Sequence, residues 1–591
     1  MLRQTLLSTL VAGAIMVTGL NPAQADRSRA DGHGATRTPI KHLIVIIGEN
    51  HTFDNVFATY QAPHGQQVDN LLSKGIIALN GEPAAHFDRA AQQQAMVTTA
   101  YTPTPTTTDA YAALPQPATT YATGVPAGVP DARFPANLPN GPFQITQYVA
   151  YNAHTGDPMH RFFQMYQQVD GGKMDLFPWV GVTAGIGPQN SPPAPTPGNT
   201  FQGGEAMGFY NMATGDVPVF QSLARRYAIS DNYHQAIMGG TGANFIAIVT
   251  GDAGFHTDQG QADVPPVSQI ENPNPQPGTN NFYIQDGYSG GSYVNCADHA
   301  QPGVAAIYTY LDSLHHKVFN AGNCAPGTYY LLNNYGLAYD YQGNAKPIGP
   351  THNTLPPQTI ATIADELSAA SVSWKWYSGG RHANSAPDHE YCSICDPLTG
   401  FSSIMTTALK DNLQGMDEFY VDVQSPLTLP AVTFIRPFES KAGHPANATM
   451  PDFETFVEDV VNRVKANPTV WSQTAILVTT DEGGGYYDSG YVQAVDFFGD
   501  GTRIPLIAIS PYAKRGFVDH TYSDHASILK FIERNWELEP LSPRSRDNLP
   551  NPVMDENVYA PANAPAIGDL MSLFDFKMAH TDEHDMEPMK R

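Results

Sequence analysis

The sequence has little charge, and the charge it has is unevenly divided. Only 15% of its 591 residues are charged, against about a quarter in an average globular chain. The 31 lysines and arginines are outnumbered by 56 aspartates and glutamates, which gives a net charge of −25. Such a chain repels phosphate backbones, so nucleic acid is not expected as a partner. With 41% hydrophobic residues, the composition also excludes a coiled coil and a wholly disordered chain.

Long hydrophobic runs are scarce as well. The one at residues 6–20 is shorter than the roughly 20 residues of a membrane span, and no stable membrane span is predicted after it. A basic Arg3, this run and the small residues of Ala23-Gln24-Ala25 instead predict a signal peptide over residues 1–25. The protein is therefore expected to be secreted or periplasmic. Residues 26–40 are polar and without periodicity, and are predicted to be a linker.

Cysteine is rare, and its four positions are Cys296, Cys324, Cys392 and Cys395. An even number in an exported chain predicts two disulfides, and four cysteines allow three pairings. The spacing favours Cys296–Cys324 and a local Cys392–Cys395 loop. A zinc site with four thiolates is the alternative, but it lacks the second closely spaced cysteine pair of such sites.

What the sequence does contain is a pattern of buried strands and amphipathic helices. Unbroken apolar, β-branched runs at residues 41–47, 474–480 and 504–509 are typical of buried parallel strands. Helical periodicity covers residues 359–369, 453–466 and 524–536. The alternation predicts an α/β fold, with a mainly parallel central sheet flanked by helices over residues 41–541. Long loops are predicted at residues 98–130, 185–200 and 259–278, and an irregular tail at residues 542–591.

Acidic and amide side chains follow two of the predicted strands. Glu49 and Asn50 come after the first, and Asp481 and Glu482 after the second. In open α/β sheets, ligands bind beyond the carboxyl ends of the strands, and oxygen ligands of this kind suit a hard divalent cation. The alternatives are that Glu49 and Asn50 cap the next helix and that Asp481 and Glu482 form an exposed acidic turn.

A glycine-rich turn places one hydroxyl at the start of a predicted helix. Thr241 lies within Gly239-Gly240-Thr241-Gly242 and is followed by an apolar helical stretch over residues 246–250. There its hydroxyl would lie near free backbone N–H groups and the positive end of the helix dipole, which together favour an anion. Beside a metal, such a hydroxyl can ionise and attack phosphorus. The alternative is an ordinary threonine N-cap.

In combination, these motifs resemble the bacterial phosphoesterase family, which contains phospholipases C and acid phosphatases and belongs to the alkaline-phosphatase-like superfamily. The resemblance extends in order over residues 41–536. It is carried by Gly48-Glu49-Asn50 with Phe53-Asp54, Gly172-Lys173-Met174-Asp175, Gly240-Thr241 with Asn244, and Asp481-Glu482-Gly483-Gly484 with Tyr487-Asp488.

The resemblance implies roles for individual residues. One divalent metal ion (calcium, magnesium, manganese or zinc) would be held by Glu49, Asn50, Asp481 and Glu482. Thr241 would be both the nucleophile and a metal contact. His160 and His444 look like the family histidines that stabilise phosphoryl oxygens or protonate the leaving group, a role that suits an imidazole with an ordinary pKa of about 6.5. Ordinary loop histidines are the alternative.

Two positions depart from the family pattern. Ser489 follows Tyr487-Asp488 where histidine is frequent, and Cys395-Asp396-Pro397 stands where many members have paired histidines. The expected function is a secreted, metal-dependent hydrolase of phosphate esters, either phospholipase C-like or an acid phosphatase. Its substrate would be a small phosphate ester or a phospholipid headgroup. The alternatives are a non-catalytic binding protein on the same scaffold and a sulfatase. Sulfatases carry a Cys-x-Pro-x-Arg motif, and Cys324-Ala325-Pro326 is similar to it but lacks the arginine.

Overall fold

The computed structural model describes residues 34–96, 98–117, 130–183, 203–275, 291–383 and 385–577. The predicted signal peptide at residues 1–25 and the predicted loop at residues 185–200 lie outside the described residues. So do parts of the other two predicted loops, most of the predicted linker and the last part of the predicted tail.

Eight strands form the central sheet. In chain order they are β1 His42–Gly48, β2 Ala228–Ser230, β3 Trp374–Ser378, β4 Leu413–Gly415, β5 Val432–Arg436, β6 Thr474–Thr480, β7 Leu506–Ile509 and β8 Val518–Asp519. Their order across the sheet is β4-β3-β5-β1-β6-β7-β2-β8. Every residue of the central strands β1 and β6 is buried, as their unbroken apolar runs predict. Five of the seven strand pairs in this sheet are parallel, so the mainly parallel α/β fold is confirmed.

Strand β7 corrects one detail of the prediction. The run at residues 504–509 is predicted to be parallel, but β7 pairs antiparallel with both β6 and β2. The prediction was wrong because burial on both faces sets the composition of a strand and not its direction. An antiparallel neighbour needs no crossover helix, so residues 481–505 turn back at the edge where β6 ends.

Twelve α-helices lie among the described residues: α1 Phe53–Phe57, α2 Phe162–Val169, α3 Phe177–Thr183, α4 Pro218–Arg226, α5 Thr241–Thr250, α6 Val304–Asp312, α7 Ile363–Ala369, α8 Ser402–Met405, α9 Met416–Asp422, α10 Met450–Ala466, α11 Pro468–Trp471 and α12 Ala526–Trp536. The three predicted helices are α7, α10 and α12. Helix α7 begins later than predicted because Thr362 and Asp365 form a reciprocal cap at its start. No helix in the described ranges is both long enough and apolar enough to cross a bilayer.

Short two-stranded ladders lie outside the main sheet. They pair Gln93–Ala95 with Thr107–Ala110, Phe143–Gln144 with Gly208–Phe209, Tyr233–His234 with Ser523–Asp524, Thr257–Asp258 with Gln261–Ala262, and Tyr293–Val294 with Tyr330–Leu331. The last of these ladders lies beside a disulfide, since Cys296 follows it closely in the chain.

Both ends of the described chain pack against the domain. The Arg37 N–H donates to the Asn535 carbonyl at 2.8 Å, and the Thr38 hydroxyl donates to Asn535 Oδ1 at 2.6 Å. Residues 542–577 are irregular apart from two short 3₁₀ turns. Leu549 and Ile567 are nevertheless buried in the main hydrophobic core. The irregular segment at residues 542–577 is therefore packed against the domain.

Both predicted disulfides are confirmed. Cys296 is bonded to Cys324 and Cys392 to Cys395, with Cα–Cα distances of 5.5 and 5.3 Å. No cysteine thiol remains for a zinc site, so the alternative of four thiolate ligands is wrong.

Candidate active site

The carboxyl ends of β1 and β6 bring the two predicted acidic pairs together. Gly48 and Thr480 are partners in the parallel ladder, so Glu49 and Asp481 are the next residues on adjacent strands. The Asp481 N–H donates to the Gly48 carbonyl at 3.0 Å, and the Asn50 N–H lies 3.3 Å from Asp481 Oδ1. Asn50 has a φ of 63°, a left-handed conformation that asparagine tolerates better than most residues. This turn directs the chain across the end of β6.

Glu49 is held by an arginine that the sequence analysis did not single out. Arg436, the last residue of the neighbouring strand β5, donates to Glu49 Oε1 from Nη2 at 2.6 Å and from Nε at 3.1 Å. Both side chains are buried. Burial raises the pKa of Glu49, and the Arg436 guanidinium opposes this rise. In the sequence, the only sign of this contact was the position of Arg436 at the end of an apolar run.

Two buried oxygens beside Glu49 have no hydrogen-bond donor among the described residues. Asp481 Oδ1 accepts from the Glu482 N–H at 2.8 Å, but no donor within the described ranges reaches Asp481 Oδ2 or Asn50 Oδ1. Burial, with the nearby Glu49 as a second cause, raises the pKa of Asp481 well above its ordinary value. Unpaired oxygens of this kind are the ligands that a hard cation takes. The donor set thus fits the metal site that the sequence predicts.

Thr241 is the first residue of α5, and Gly240 is the N-cap. Its Oγ1 lies 3.4 Å from Glu482 Oε1, so the predicted nucleophile faces the predicted ligand group. The preceding turn needs glycine, because a Cβ on Gly239 would lie 1.7 Å from the Leu332 carbonyl oxygen. One N–H of the first helical turn is already used, since Gly242 donates to Asn334 Oδ1 at 2.6 Å. The prediction that the first N–H groups of this helix are free is therefore wrong for Gly242.

Asp157 links the two predicted histidines to the rest of the group. His160 Nε2 lies 3.9 Å from Glu482 Oε1, and His160 Nδ1 lies 3.7 Å from Asp157 Oδ1. His444 Nε2 lies 3.9 Å from Asp157 Oδ2 and accepts from Asn50 Nδ2 at 3.1 Å. The same Asn50 amide donates to Asp157 Oδ1 at 3.3 Å. A carboxylate three residues before His160 was visible in the sequence, but nothing there showed that it also reaches His444.

His51 has a supporting position. It is buried, and its ring contacts Asn55 Oδ1 at 2.7 Å and the Gly443 carbonyl at 2.8 Å. Burial lowers the pKa of His51 to about 4, so the ring is neutral near pH 7. The second contact fixes the segment that carries His444 against the loop after β1.

The two departures from the family pattern have different surroundings. Ser489 donates its N–H and hydroxyl to Asp54, which also lies 3.1 Å from Arg503. Burial raises the pKa of Asp54 to about 6. The Cys395 sulfur, which carries no proton because it is in a disulfide, lies 2.8 Å from Glu49 Oε1. A disulfide therefore lines this side of the acidic group.

A profile of the Phosphoesterase family matches residues 40–539, which is most of the chain. The chain belongs to the phosphoesterase family. The match contains every residue placed in the site above, so all of them lie within the part of the chain that the family shares.

Three curated relatives show the range of this family. The chain is 30% identical over 261 residues to a hemolytic phospholipase C of Pseudomonas aeruginosa, covering 37% of the chain and 33% of the relative. Phospholipase C B of Mycobacterium tuberculosis is 26% identical over 290 residues, covering 43% and 51%. A phosphate-repressible acid phosphatase of Penicillium chrysogenum is 27% identical over 195 residues, covering 31% and 44%. The chain thus spans a third to about half the length of these relatives.

Among solved structures, a protein of the alkaline phosphatase superfamily from Vibrio parahaemolyticus is 10% identical, with a TM-score of 0.26 over 56% of this chain and 63% of that one. A likeness of this size carries no argument about function. The sulfatase alternative fails on the chain's own chemistry, because Cys324 is bonded to Cys296 and has no thiol for a nucleophile.

Proposed function

We propose that this phosphoesterase-family chain is a metal-dependent hydrolase that cleaves phosphate esters through the Thr241 hydroxyl. The observation that carries the proposal is the position of Thr241 Oγ1 at a helix N-terminus, 3.4 Å from a carboxylate that also faces His160. The names of the relatives support two substrate classes, phospholipid headgroup esters and phosphomonoesters. A non-catalytic binding protein would have no need of this arrangement.

The residues that would hold one divalent cation are Glu49, Asn50, Asp481 and Glu482, with Thr241 as a fifth contact. Their fit is supported by two buried oxygens, Asn50 Oδ1 and Asp481 Oδ2, for which the described part of the chain offers no donor. All the candidate ligands are oxygens, which favours calcium, magnesium or manganese over softer ions, although zinc also accepts carboxylates. When bound, such an ion supplies Lewis-acid polarisation of a phosphoryl oxygen and acidifies a neighbouring hydroxyl.

The chain's own residues supply the remaining chemistry. Thr241 Oγ1 forms the new bond to phosphorus as its proton passes to Glu482 Oε1, 3.4 Å away, and the N-terminus of α5 stabilises the negative charge that develops. The P–O bond to the leaving group breaks in line, and His160 or His444 gives that oxygen a proton. The Pro158 carbonyl, 2.6 Å from His160 Nδ1, and the Asn50 amide, 3.1 Å from His444 Nε2, keep the two rings at the site. Water then cleaves the phosphothreonine, which releases phosphate or a phosphomonoester and restores the hydroxyl.

Thr241→Ala and Thr241→Ser test the nucleophile. Thr241→Ala is expected to lower kcat by several orders of magnitude, the scale on which loss of a covalent catalyst acts. Thr241→Ser keeps a hydroxyl and should retain part of the rate. The substrates are phosphatidylcholine, a soluble choline phosphodiester and several phosphomonoesters, each assayed across pH 5 to 8. A Thr241→Ala enzyme within about tenfold of wild type would mean that water attacks directly.

Export is the second part of the proposal. It is supported by the sequence pattern of residues 1–25 and by the two closed disulfides. Mass spectrometry of protein collected outside the cytoplasm should find a mature N-terminus directly after Ala25 and no free thiol. Correctly exported protein with four free thiols would contradict the proposal.

A further inference from the structure

One buried amide beside the nucleophile has half of its hydrogen-bonding capacity unused. Asn334 is fully buried, and its Oδ1 accepts from the Gly242 N–H at 2.6 Å. Since only the oxygen of a carboxamide can accept, this contact fixes which way the group faces. The Nδ2 group is therefore oriented as well, and no acceptor for it lies within the described part of the chain.

This amide lies against the turn that carries Thr241. A Cβ built on Gly240, the residue before Thr241, would lie 3.0 Å from Asn334 Oδ1 and 3.3 Å from Asn334 Nδ2. The preceding residue, Asn333, accepts at Oδ1 from the Phe162 N–H at 2.9 Å. Residues 333–334 thus join the start of α5 to the segment that carries His160.

Asn244 in the same helix shows how a purely structural amide behaves. Its Oδ1 accepts from the Ile237 N–H at 3.0 Å, and its Nδ2 donates to the carbonyls of Ile237 and Gly239 at 3.0 and 2.9 Å. A buried amide is normally satisfied in this way, because a donor left without a partner destabilises the fold. Asn334, which lies against the turn before the predicted nucleophile, departs from that rule because its Nδ2 has no acceptor among the described residues.

We propose that Asn334 Nδ2 donates a hydrogen bond to a non-bridging oxygen of the phosphoryl group that Thr241 attacks. The inference rests on the proposed function and adds a residue that touches the substrate. Negative charge grows on the equatorial oxygens as phosphorus accepts the nucleophile, and a fixed, desolvated donor stabilises that charge without reorganising. Asn334 thereby has two roles in one side chain: its oxygen caps α5, and its nitrogen binds the phosphoryl anion.

Asn334→Ala and Asn334→Asp separate these two roles. Asn334→Ala removes both the cap and the donor, whereas Asn334→Asp keeps an oxygen for the Gly242 N–H and removes the donor. Each is expected to lower kcat by about 100- to 1,000-fold, the effect of deleting one transition-state donor in other enzymes. Orthovanadate, which mimics the five-coordinate phosphoryl group, should inhibit both variants at least about tenfold more weakly than wild type. Both variants should lower the melting temperature, because Asn334→Ala removes the cap and Asn334→Asp buries a carboxylate without a counter-charge.

Asn244→Asp is the matched control, because it removes amide donors that the protein itself uses. It should lower the melting temperature, and its activity should fall only as far as folded protein is lost. If Asn334→Asp keeps wild-type kcat, Asn334 is only a helix cap and the inference is wrong. The same holds if Asn334→Ala keeps wild-type vanadate inhibition. If wild type and Thr241→Ala turn over phosphate esters equally, the proposed function fails instead.

Discussion

Two groups of buried carboxylates in this chain are neutralised in different ways. In the Arg546 cluster, formed by Asp496, Asp500, Asp524 and Arg546, one guanidinium serves three acids. Arg546 lies 2.6 Å from Asp496 Oδ1, 2.6 Å from Asp500 Oδ1 and 3.4 Å from Asp524 Oδ2. The cluster thus contains a positive charge of its own, in contact with all three acids.

The edge cluster, formed by Glu49, Asp481 and Glu482 at the ends of β1 and β6, is different. Glu49 has Arg436 as a partner, but Asp481 has only backbone N–H donors for one oxygen and none among the described residues for the other. Buried carboxylates repel each other and are costly without a counter-charge. The difference supports the proposal that the edge cluster holds a cation from outside, because Asp481 has no positively charged partner among the described residues.

Removing the arginine should have the largest effect on stability. Arg546→Met leaves the three carboxylates of the Arg546 cluster without a cation, and breaking a buried pair in this way costs about 3–5 kcal/mol. Denaturant unfolding would measure the free energy of unfolding. Arg544→Met is the control, because its pair with Asp252 is partly exposed and should cost less. A loss below about 1 kcal/mol for Arg546→Met would remove the contrast between the clusters.

Removing a charge from the edge cluster should affect activity instead. Asp481→Asn is expected to lower kcat by about 100- to 1,000-fold through loss of bound metal. The metal-free protein should be at least as stable as metal-free wild type, because one uncompensated buried charge is gone. Metal analysis and thermal unfolding in chelator would measure both. Asp496→Asn, the control from the Arg546 cluster, should lower the stability of the protein and leave its metal content unchanged. Equal metal content in Asp481→Asn and wild type would place the metal elsewhere.

The pH dependence of the metal-free protein should differ between these variants. The folded-state pKa of Asp481 is raised above its ordinary 3.8, so the folded state binds more protons than the unfolded state above that pH. Stability from this group therefore falls as pH rises from about 4 towards the raised pKa. Melting temperatures in chelator should show metal-free wild type losing stability over this window more steeply than Asp481→Asn. If the melting temperatures of the two proteins change with pH in parallel, another group already compensates the buried charge of Asp481.

An exposed pair should have the smallest effect. Asp459 lies 2.7 Å from Arg463 on the surface of α10, and both side chains are more than 40% exposed. Asp459→Asn should change the free energy of unfolding by less than about 0.5 kcal/mol, because water screens such pairs. A larger change, measured by denaturant unfolding, would mean that carboxylate–arginine contacts matter here regardless of burial.

Much of the scaffold follows from local pattern. The apolar runs of β1 and β6 and the glycine-rich turn before α5 could be placed from the sequence because strand burial and turn geometry depend on nearby residues. The same local logic put Glu49, Asn50, Asp481 and Glu482 at strand ends on one edge of a sheet. The cysteine spacing gave the pairing that the structure has.

Tertiary structure alone decided which side chains meet across that edge. Arg436 reaches Glu49 because β5 is the neighbour of β1, Asp157 lies between His160 and His444, and Asn334 caps α5 from a segment 92 residues away. The reversed direction of β7 was also beyond local pattern. Periodicity records whether a residue is buried, but contacts between distant segments depend on strand order and on the path of the connections. The sequence therefore determined the candidate ligands and the candidate nucleophile, and the fold determined the partners that surround them.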